Sequence, residues 1–116
     1  MNLKSKLLTP VELAPVTVSI LGDEFPARRL TAACLSEHDK LVRKYQADNN
    51  GEKLNIQAAK LILDSILDEN NRPMSESVKP VDLMAIHTPL AINAAVTKII
   101  NINYLSDDAE DTAKKD

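Results

Sequence analysis

The sequence of 116 residues contains few of the residue types that build catalytic, cofactor and metal sites. It has one cysteine, Cys34, two histidines, His38 and His87, two glycines, Gly22 and Gly51, and no tryptophan. A single cysteine excludes a disulfide within the chain and favours a reducing compartment. Two glycines are too few for a glycine-rich phosphate-binding loop, and the histidines have no partners at metal-ligand spacing. We therefore expect neither enzymatic activity nor a metal or other cofactor.

Aromatic residues, long apolar runs and excess positive charge are also scarce. Aromatic residues make up 3% of the chain, too few for a stacking platform that binds single-stranded nucleic acid. No apolar run approaches the ~20 residues of a membrane-spanning helix, and the first residues do not resemble a signal peptide. Residues 106–116 carry five of the 17 acidic and two of the 14 basic residues, so the remainder is electrically neutral. A neutral body does not favour nucleic-acid binding. We expect a soluble cytoplasmic protein that binds other proteins.

A β-hairpin is predicted near the start of the chain. Residues 1–15 contain two prolines and no clear period, which predicts a loosely ordered arm. Apolar residues then alternate with polar ones from Val16 to Ile20, a pattern typical of a half-buried strand. Gly22 and Asp23 mark a turn, and the chain returns as a second strand in which Pro26 favours an edge position. The pattern predicts a hairpin over residues 16–29.

Apolar residues at helical spacing predict about four helices after the hairpin. Ser36 is a candidate cap for the first helix, and Thr88 followed by Pro89 is a cap signal for the last. The sequence therefore predicts a single domain over residues 16–105. Its fold class is α+β, and most of it is α-helical. The acidic tail, residues 106–116, is expected to be disordered. The predicted helices lie near residues 32–47, 55–67, 80–86 and 89–103.

Five side chains are candidates for partner binding because the predicted core does not explain them. Leu61 and Leu90 project from the polar sides of their predicted helices. Phe25, Arg28 and Arg29 lie on the predicted edge strand, where the two arginines could meet an acidic partner or simply be solvated. No catalytic, cofactor-binding or metal-binding residue is predicted.

Three other side chains are expected to have structural roles. His38 lies on the apolar face of its predicted helix, where a hydrogen-bonded core histidine or a ring at a helix interface is favoured. Cys34 is interpreted as a buried thiol. Asn103 falls on the apolar face of the last helix, close enough to its end to favour a C-cap role.

Several motifs of low specificity occur in an order that resembles the order in one known family. A predicted helix runs into the acidic turn Leu67-Asp68-Glu69-Asn70-Asn71-Arg72-Pro73. A short helix, a Thr-Pro helix start and the ending Ile99-Ile100-Asn101-Ile102-Asn103 follow it. Together with residues 27–33 after the hairpin, this order is similar to the tail assembly chaperones of long-tailed bacteriophages, over roughly residues 16–105. Asn71 stands where the family turn often has glycine, and asparagine tolerates a left-handed backbone.

The resemblance implies a non-enzymatic chaperone made in the cytoplasm of an infected or lysogenic host and absent from the finished virion. Such proteins bind the tape measure protein, keep its apolar helices soluble, and recruit tail tube subunits. We also expect self-association along the long client, with the edge strand at 25–29 as a pairing surface. Many have a longer form made by ribosomal frameshifting, and Lys114-Lys115 can be encoded by an A-rich slippery site.

The alternative interpretation is a small DNA-binding regulator, with residues 36–67 forming a helix-turn-helix. The predicted gap of about eight residues between the two helices is longer than the usual three- to four-residue turn. The second helix is expected to expose Gln57, Lys60, Leu61 and Asp64, a poor set for reading bases. The chaperone interpretation is therefore preferred.

Overall fold

The computed structural model describes residues 2–11 and 13–104, so the predicted disordered tail lies outside the described residues. The predicted α+β class, mostly helical with an N-terminal antiparallel hairpin, is confirmed. In the described part of the chain, no helix has both the length and the apolar character needed to cross a bilayer. The elements are α1 (Leu3–Leu7), β1 (Val16–Ile20), β2 (Asp23–Ala27), α2 (Ala32–Ala47), α3 (Gly51–Ser65), a 3-10 turn (Met74–Glu76), α4 (Pro80–Ile86) and α5 (Pro89–Tyr104).

The arm before the hairpin contains the short helix α1, which the sequence did not predict. The Asn2 side chain caps this helix by accepting a hydrogen bond from the Ser5 backbone N–H at 2.8 Å. None of the residues of α1 is buried. The helix is therefore held by local hydrogen bonds and not by packing against the body.

The hairpin turns through Leu21 and Gly22, one residue earlier than the predicted turn. β1 and β2 are antiparallel, and Ile20 is paired with Asp23 across a two-residue loop. Both loop residues have positive φ, +54° at Leu21 and +82° at Gly22. Positive φ at both positions is the requirement of the tight turn that matches the twist of a hairpin. The inward face of the hairpin contributes buried side chains to the core, among them Val18 and Ala27.

The expectation that residues 25–29 form a free edge strand is wrong. The backbone N–H of Leu67 donates to the Pro26 carbonyl at 2.9 Å, and the Arg28 N–H donates to the Ser65 carbonyl at 2.8 Å. The chain leaving α3 therefore covers the outer edge of β2, which itself ends at Ala27. Proline fits here because only its carbonyl is needed for this pairing.

Helix α2 begins earlier than the Ser36 cap predicted. The Thr31 hydroxyl accepts a hydrogen bond from the Cys34 backbone N–H at 3.2 Å, so Thr31 is the N-cap. Ser36 lies inside the helix, where its own backbone is already helical. Cys34, expected to be buried, is only half-buried because it lies in the first turn.

Helix α3 also begins earlier than predicted, at Gly51 and not near Asn55. The Asn50 side chain accepts a hydrogen bond from the Lys53 N–H at 3.1 Å and caps the new helix. Asn49 has a φ of +53° and turns the chain sharply after α2. The connection is therefore three residues long, 48–50, and not eight.

Helix α3 forms the centre of the molecule. It packs against α2, α4, α5 and the 3-10 turn. It ends at Ser65, two residues before the predicted end, because Ile66 is extended and forms an isolated bridge with Ala27 of β2. The core combines this helix with the inner faces of the hairpin and α5, and its buried members are Val18, Ile20, Ala27, Ala58, Ala59, Leu61, Ile62, Leu63, Ile66, Leu83, Ile92, Ala95, Ile99 and Ile102.

Candidate partner-binding surfaces

The turn that follows α3 is closed by hydrogen bonds to Asp68 and contains one residue with a left-handed backbone. The Asp68 carboxylate accepts hydrogen bonds from the backbone N–H groups of Asn70, at 2.8 Å, and Arg72, at 3.1 Å. The turn closes through a hydrogen bond from the Asp68 N–H to the Arg72 carbonyl at 2.8 Å. Asn71 has a φ of +63°, a left-handed conformation that asparagine tolerates better than most residues.

The end of α5 is joined to the entry of α2 by Asn103. Its side-chain oxygen accepts a hydrogen bond from the Leu30 N–H, and its amide nitrogen donates to the Ile99 carbonyl at 2.7 Å. The predicted C-cap role describes only part of what Asn103 does, because its side chain also links two elements that are distant in sequence. Thr88 caps the other end of α5 as predicted, accepting from the Ala91 N–H at 3.2 Å.

Leu61, one of the five predicted partner-binding residues, lies in the core and is 2% exposed. The prediction of an exposed leucine is wrong because α3 is packed on several sides. A helical wheel with a single apolar stripe does not predict which side chains of such a helix are buried. Gln57, also expected on the exposed side, is buried for the same reason. Leu61 is therefore not available to a partner.

The two candidate arginines donate hydrogen bonds to carbonyls at the carboxyl ends of helices. Arg28 Nε donates to the Asp64 carbonyl at 2.8 Å, in the last turn of α3. Arg29 Nε donates to the Ile102 carbonyl at 3.0 Å, in the last turn of α5. Carbonyls in the last turn of a helix lack intrahelical partners, and a cation there also interacts favourably with the helix dipole. These contacts give both arginines a structural role, and their role in partner binding stays a prediction.

Phe25 of β2 is half-buried and packs against the core. It lies directly opposite Val18 of β1 on the inner face of the hairpin. Folding therefore explains most of its apolar surface, and its partner-binding role also stays a prediction.

Leu90 is exposed, as predicted, with 81% of its surface accessible. The sequence did not single out Ile86, which is 77% exposed and ends α4 on the other side of the connection formed by His87 and Thr88. We call this pair, Ile86 and Leu90, the α4–α5 corner. Helix α4 has seven residues, too few for its apolar period to separate a buried face from an exposed one.

A second apolar surface lines a groove between α2 and α5, where residues of α3 also contribute to the wall. It consists of two adjoining cavities of about 450 and 510 Å³ that share His38, Asp39 and Ile100. Asp39 is the one charged side chain among the lining residues, which include no lysine or arginine. We call this the α2–α5 groove, and its apolar lining includes Leu35, Val42, Leu54, Ala58, Val96 and Ile100.

His38 forms part of the wall of this groove and is hydrogen-bonded in the interior. Its Nδ1 atom lies 2.9 Å from the Gln57 amide nitrogen, so the neutral ring accepts the hydrogen bond. Burial lowers the pKa of His38 from the usual 6.5, and the Asp39 carboxylate partly opposes this shift. The interpretation of His38 as a hydrogen-bonded core histidine is confirmed. Within residues 2–11 and 13–104, no cluster of three or more His, Cys, Asp or Glu side chains could hold a metal ion.

The arm presents the third apolar surface. Its exposed large apolar side chains are between 59% and 83% accessible, and they are Leu3, Leu7, Leu8, Val11 and Leu13. Contiguous apolar surface is unusual on a monomer and often marks a site of association.

No protein-family model, curated protein or solved structure matches this chain.

Proposed function

We propose that this protein is a non-catalytic tail assembly chaperone of a long-tailed bacteriophage. In this proposal it acts in the bacterial cytoplasm, binds the apolar helices of the tape measure protein, keeps them soluble and recruits tail tube subunits. The observation that carries the proposal is the exposure of Leu90 and Ile86 at the α4–α5 corner. Two large aliphatic side chains at one corner form a surface on which an apolar helix can pack.

The turn after α3 supports the choice of family. Its acidic start, its proline end and the left-handed Asn71 fit the turn of the family in which glycine often occupies that position. The short α4 and the Thr88-Pro89 start of α5 then follow in the order that the resemblance implies. These features support the family assignment without identifying the client.

One observation favours the DNA-binding alternative, and another argues against it. The three-residue connection between α2 and α3 removes the objection based on spacing, because a helix-turn-helix uses such a turn. However, α3 is the most buried helix, and both Gln57 and Leu61 lie in the interior. A helix that packs against α2, α4 and α5 leaves few side chains free to contact base edges.

The test of client binding is co-purification with the tape measure protein encoded in the same genome. Replacing an interface anchor costs about 1–2 kcal/mol of binding, about 5- to 30-fold in affinity. We expect Leu90→Ser and Ile86→Ser each to weaken the complex by that factor while the melting temperature stays near that of wild type. Leu13→Ser, a change at another exposed leucine, is the matched control and is expected to bind the client normally.

Two results would contradict the proposal. One is wild-type affinity for the client in both Leu90→Ser and Ile86→Ser. The other is sub-micromolar binding of DNA in a gel shift at ~150 mM salt, where non-specific binders have dissociation constants near 10⁻⁴–10⁻⁶ M. The second result would favour the regulator.

A further inference from the structure

A second groove lies between α5 and the turn of the hairpin, next to the α4–α5 corner. Its cavity has a volume of about 450 Å³. It shares no α5 residue with the α2–α5 groove, so the two surfaces are separate. We call it the α5–hairpin groove, and it is lined by residues 19–22 of the hairpin, by His87, and by Ala91, Ala94, Ala95 and Lys98 of α5.

The α5–hairpin groove begins at the α4–α5 corner. His87 lines the groove and directly follows Ile86 in the chain. Leu90 lies one turn before Ala94 and about 40° from it around the axis of α5. The exposed leucine therefore lies at the rim of the groove. A helix that packs on Ile86 and Leu90 has the groove directly beside it.

Lys98 gives the other end of the groove a positive charge. Its Nζ atom donates a hydrogen bond to the Ser19 carbonyl at 2.7 Å, and it forms no ion pair with any of the described residues. An ammonium group has three donors, so two are left for a partner. The lining includes no acidic residue, since Asp23 and Glu24 lie beyond the hairpin turn and are not part of it. The groove is therefore complementary to a negative charge.

The distance between the exposed leucine and the lysine sets the spacing that a bound helix needs. Leu90 and Lys98 are eight residues apart, which is ~12 Å along α5. A helix lying along α5 covers this distance in about two turns. Its apolar anchor on Leu90 and its carboxylate at Lys98 are then two turns apart on one face, and amphipathic helices bind grooves through anchors at such spacings.

We propose that the α5–hairpin groove binds an amphipathic helix in which an acidic side chain, two turns from an apolar anchor, pairs with Lys98. This inference rests on the proposed function, because the bound helix is the client segment that packs on the α4–α5 corner. It adds a charge requirement to that client. The pair also selects among apolar segments, because a client lysine at the same position would face Lys98 and be repelled.

Two synthetic helical peptides test this charge requirement. Each has roughly 22 residues, long enough to form a helix in isolation, with leucines at one-turn spacing in the centre of an alanine and glutamine background. The acidic peptide carries glutamate two turns before and two turns after the central leucine, so its direction in the groove does not matter. The basic peptide carries lysine at both positions. Circular dichroism confirms equal helicity, and calorimetric titration at low ionic strength measures binding.

We expect the wild-type protein to prefer the acidic peptide by about 2- to 30-fold, because an exposed ion pair contributes up to about fivefold and like charges cost a similar factor. Added salt should reduce this preference. Lys98→Glu should reverse it, and Lys98→Gln should abolish it. Lys98→Gln keeps a donor for the Ser19 carbonyl, so it provides the test even if Lys98→Glu lowers the melting temperature. Lys60→Glu, at an exposed position of α3, is the matched control and should keep the wild-type preference.

Equal affinity of the wild-type protein for the two peptides would overturn the proposal, and so would a preference that persists in Lys98→Gln. Leu90→Ser distinguishes this failure from a failure of the proposed function, because it should weaken both peptides by the same factor. Equal affinities that decrease in Leu90→Ser would contradict only the pairing with Lys98. Failure of both peptides to bind would contradict the pairing and the apolar corner together.

Discussion

Two leucines on different helices allow the observed core to be tested with a single type of substitution. Leu61 is 2% exposed and Leu90 is 81% exposed, so Leu→Ala removes the same atoms from opposite environments. At a buried position this change costs about 2–5 kcal/mol, from lost transfer energy and the cavity that remains. At an exposed position away from special features the cost is within about 0.5 kcal/mol.

The expected difference is large enough to measure by thermal unfolding. For a domain of roughly this size, 1 kcal/mol shifts the melting temperature by about 4–8 °C. A cost of ~3 kcal/mol in Leu61→Ala therefore corresponds to a decrease of about 12–24 °C, whereas Leu90→Ala should change it by less than about 4 °C. Urea titration provides a second measurement, with the midpoint lowered and the slope unchanged if the variant remains two-state. Equal melting temperatures for the two variants would refute the assignment of Leu61 to the core.

Three further predictions concern polar positions. Asn71→Ala should lower the stability by about 1 kcal/mol, because φ at this residue is positive, whereas Asn71→Gly should be neutral or stabilising in the same thermal unfolding assay. Asn103→Ala removes the acceptor of the Leu30 N–H and should cost about 1–3 kcal/mol in urea unfolding, more than the same change at Asn101. His38 has a lowered pKa, so its contribution to stability is complete above pH 6.5 and decreases as the pH falls toward the folded-state pKa. Urea midpoints between about pH 7 and 5.5 should show this slope, and His38→Gln should reduce it.

The features that the sequence predicted well depend on local signals. Alternation from Val16 to Ile20 defined β1, and Thr88 followed by Pro89 defined the start of α5, because strand periodicity and helix capping involve neighbouring residues. The start of α3 was missed although its signal is equally local. Asn50 and Gly51 fall in the predicted gap between two helices, but asparagine is also a favoured N-cap. Asn50 therefore contributes to the end of α2 through its backbone and caps the start of α3 through its side chain.

The surfaces could not be predicted in the same way because they depend on how the helices are arranged. The burial of Leu61 follows from the packing of α2, α4 and α5 around α3, and no single-helix wheel contains that information. The α2–α5 groove is a space between helices, so it has no signal within either one. Arg28 and Arg29 were noticed as charged residues, but their acceptors lie 36 and 73 residues away along the chain. A pattern of neighbouring residues cannot reveal such partners.

The solubility of the client is the most direct measurement of chaperone activity. The tape measure protein is produced alone and together with this protein, and its soluble fraction is measured after centrifugation. The proposed function predicts that the client sediments alone and stays in the supernatant when the wild-type protein is present. It also predicts that Leu90→Ser combined with Ile86→Ser loses this effect while Leu13→Ser retains it. A client that sediments to the same extent with and without the wild-type protein would contradict the proposed function.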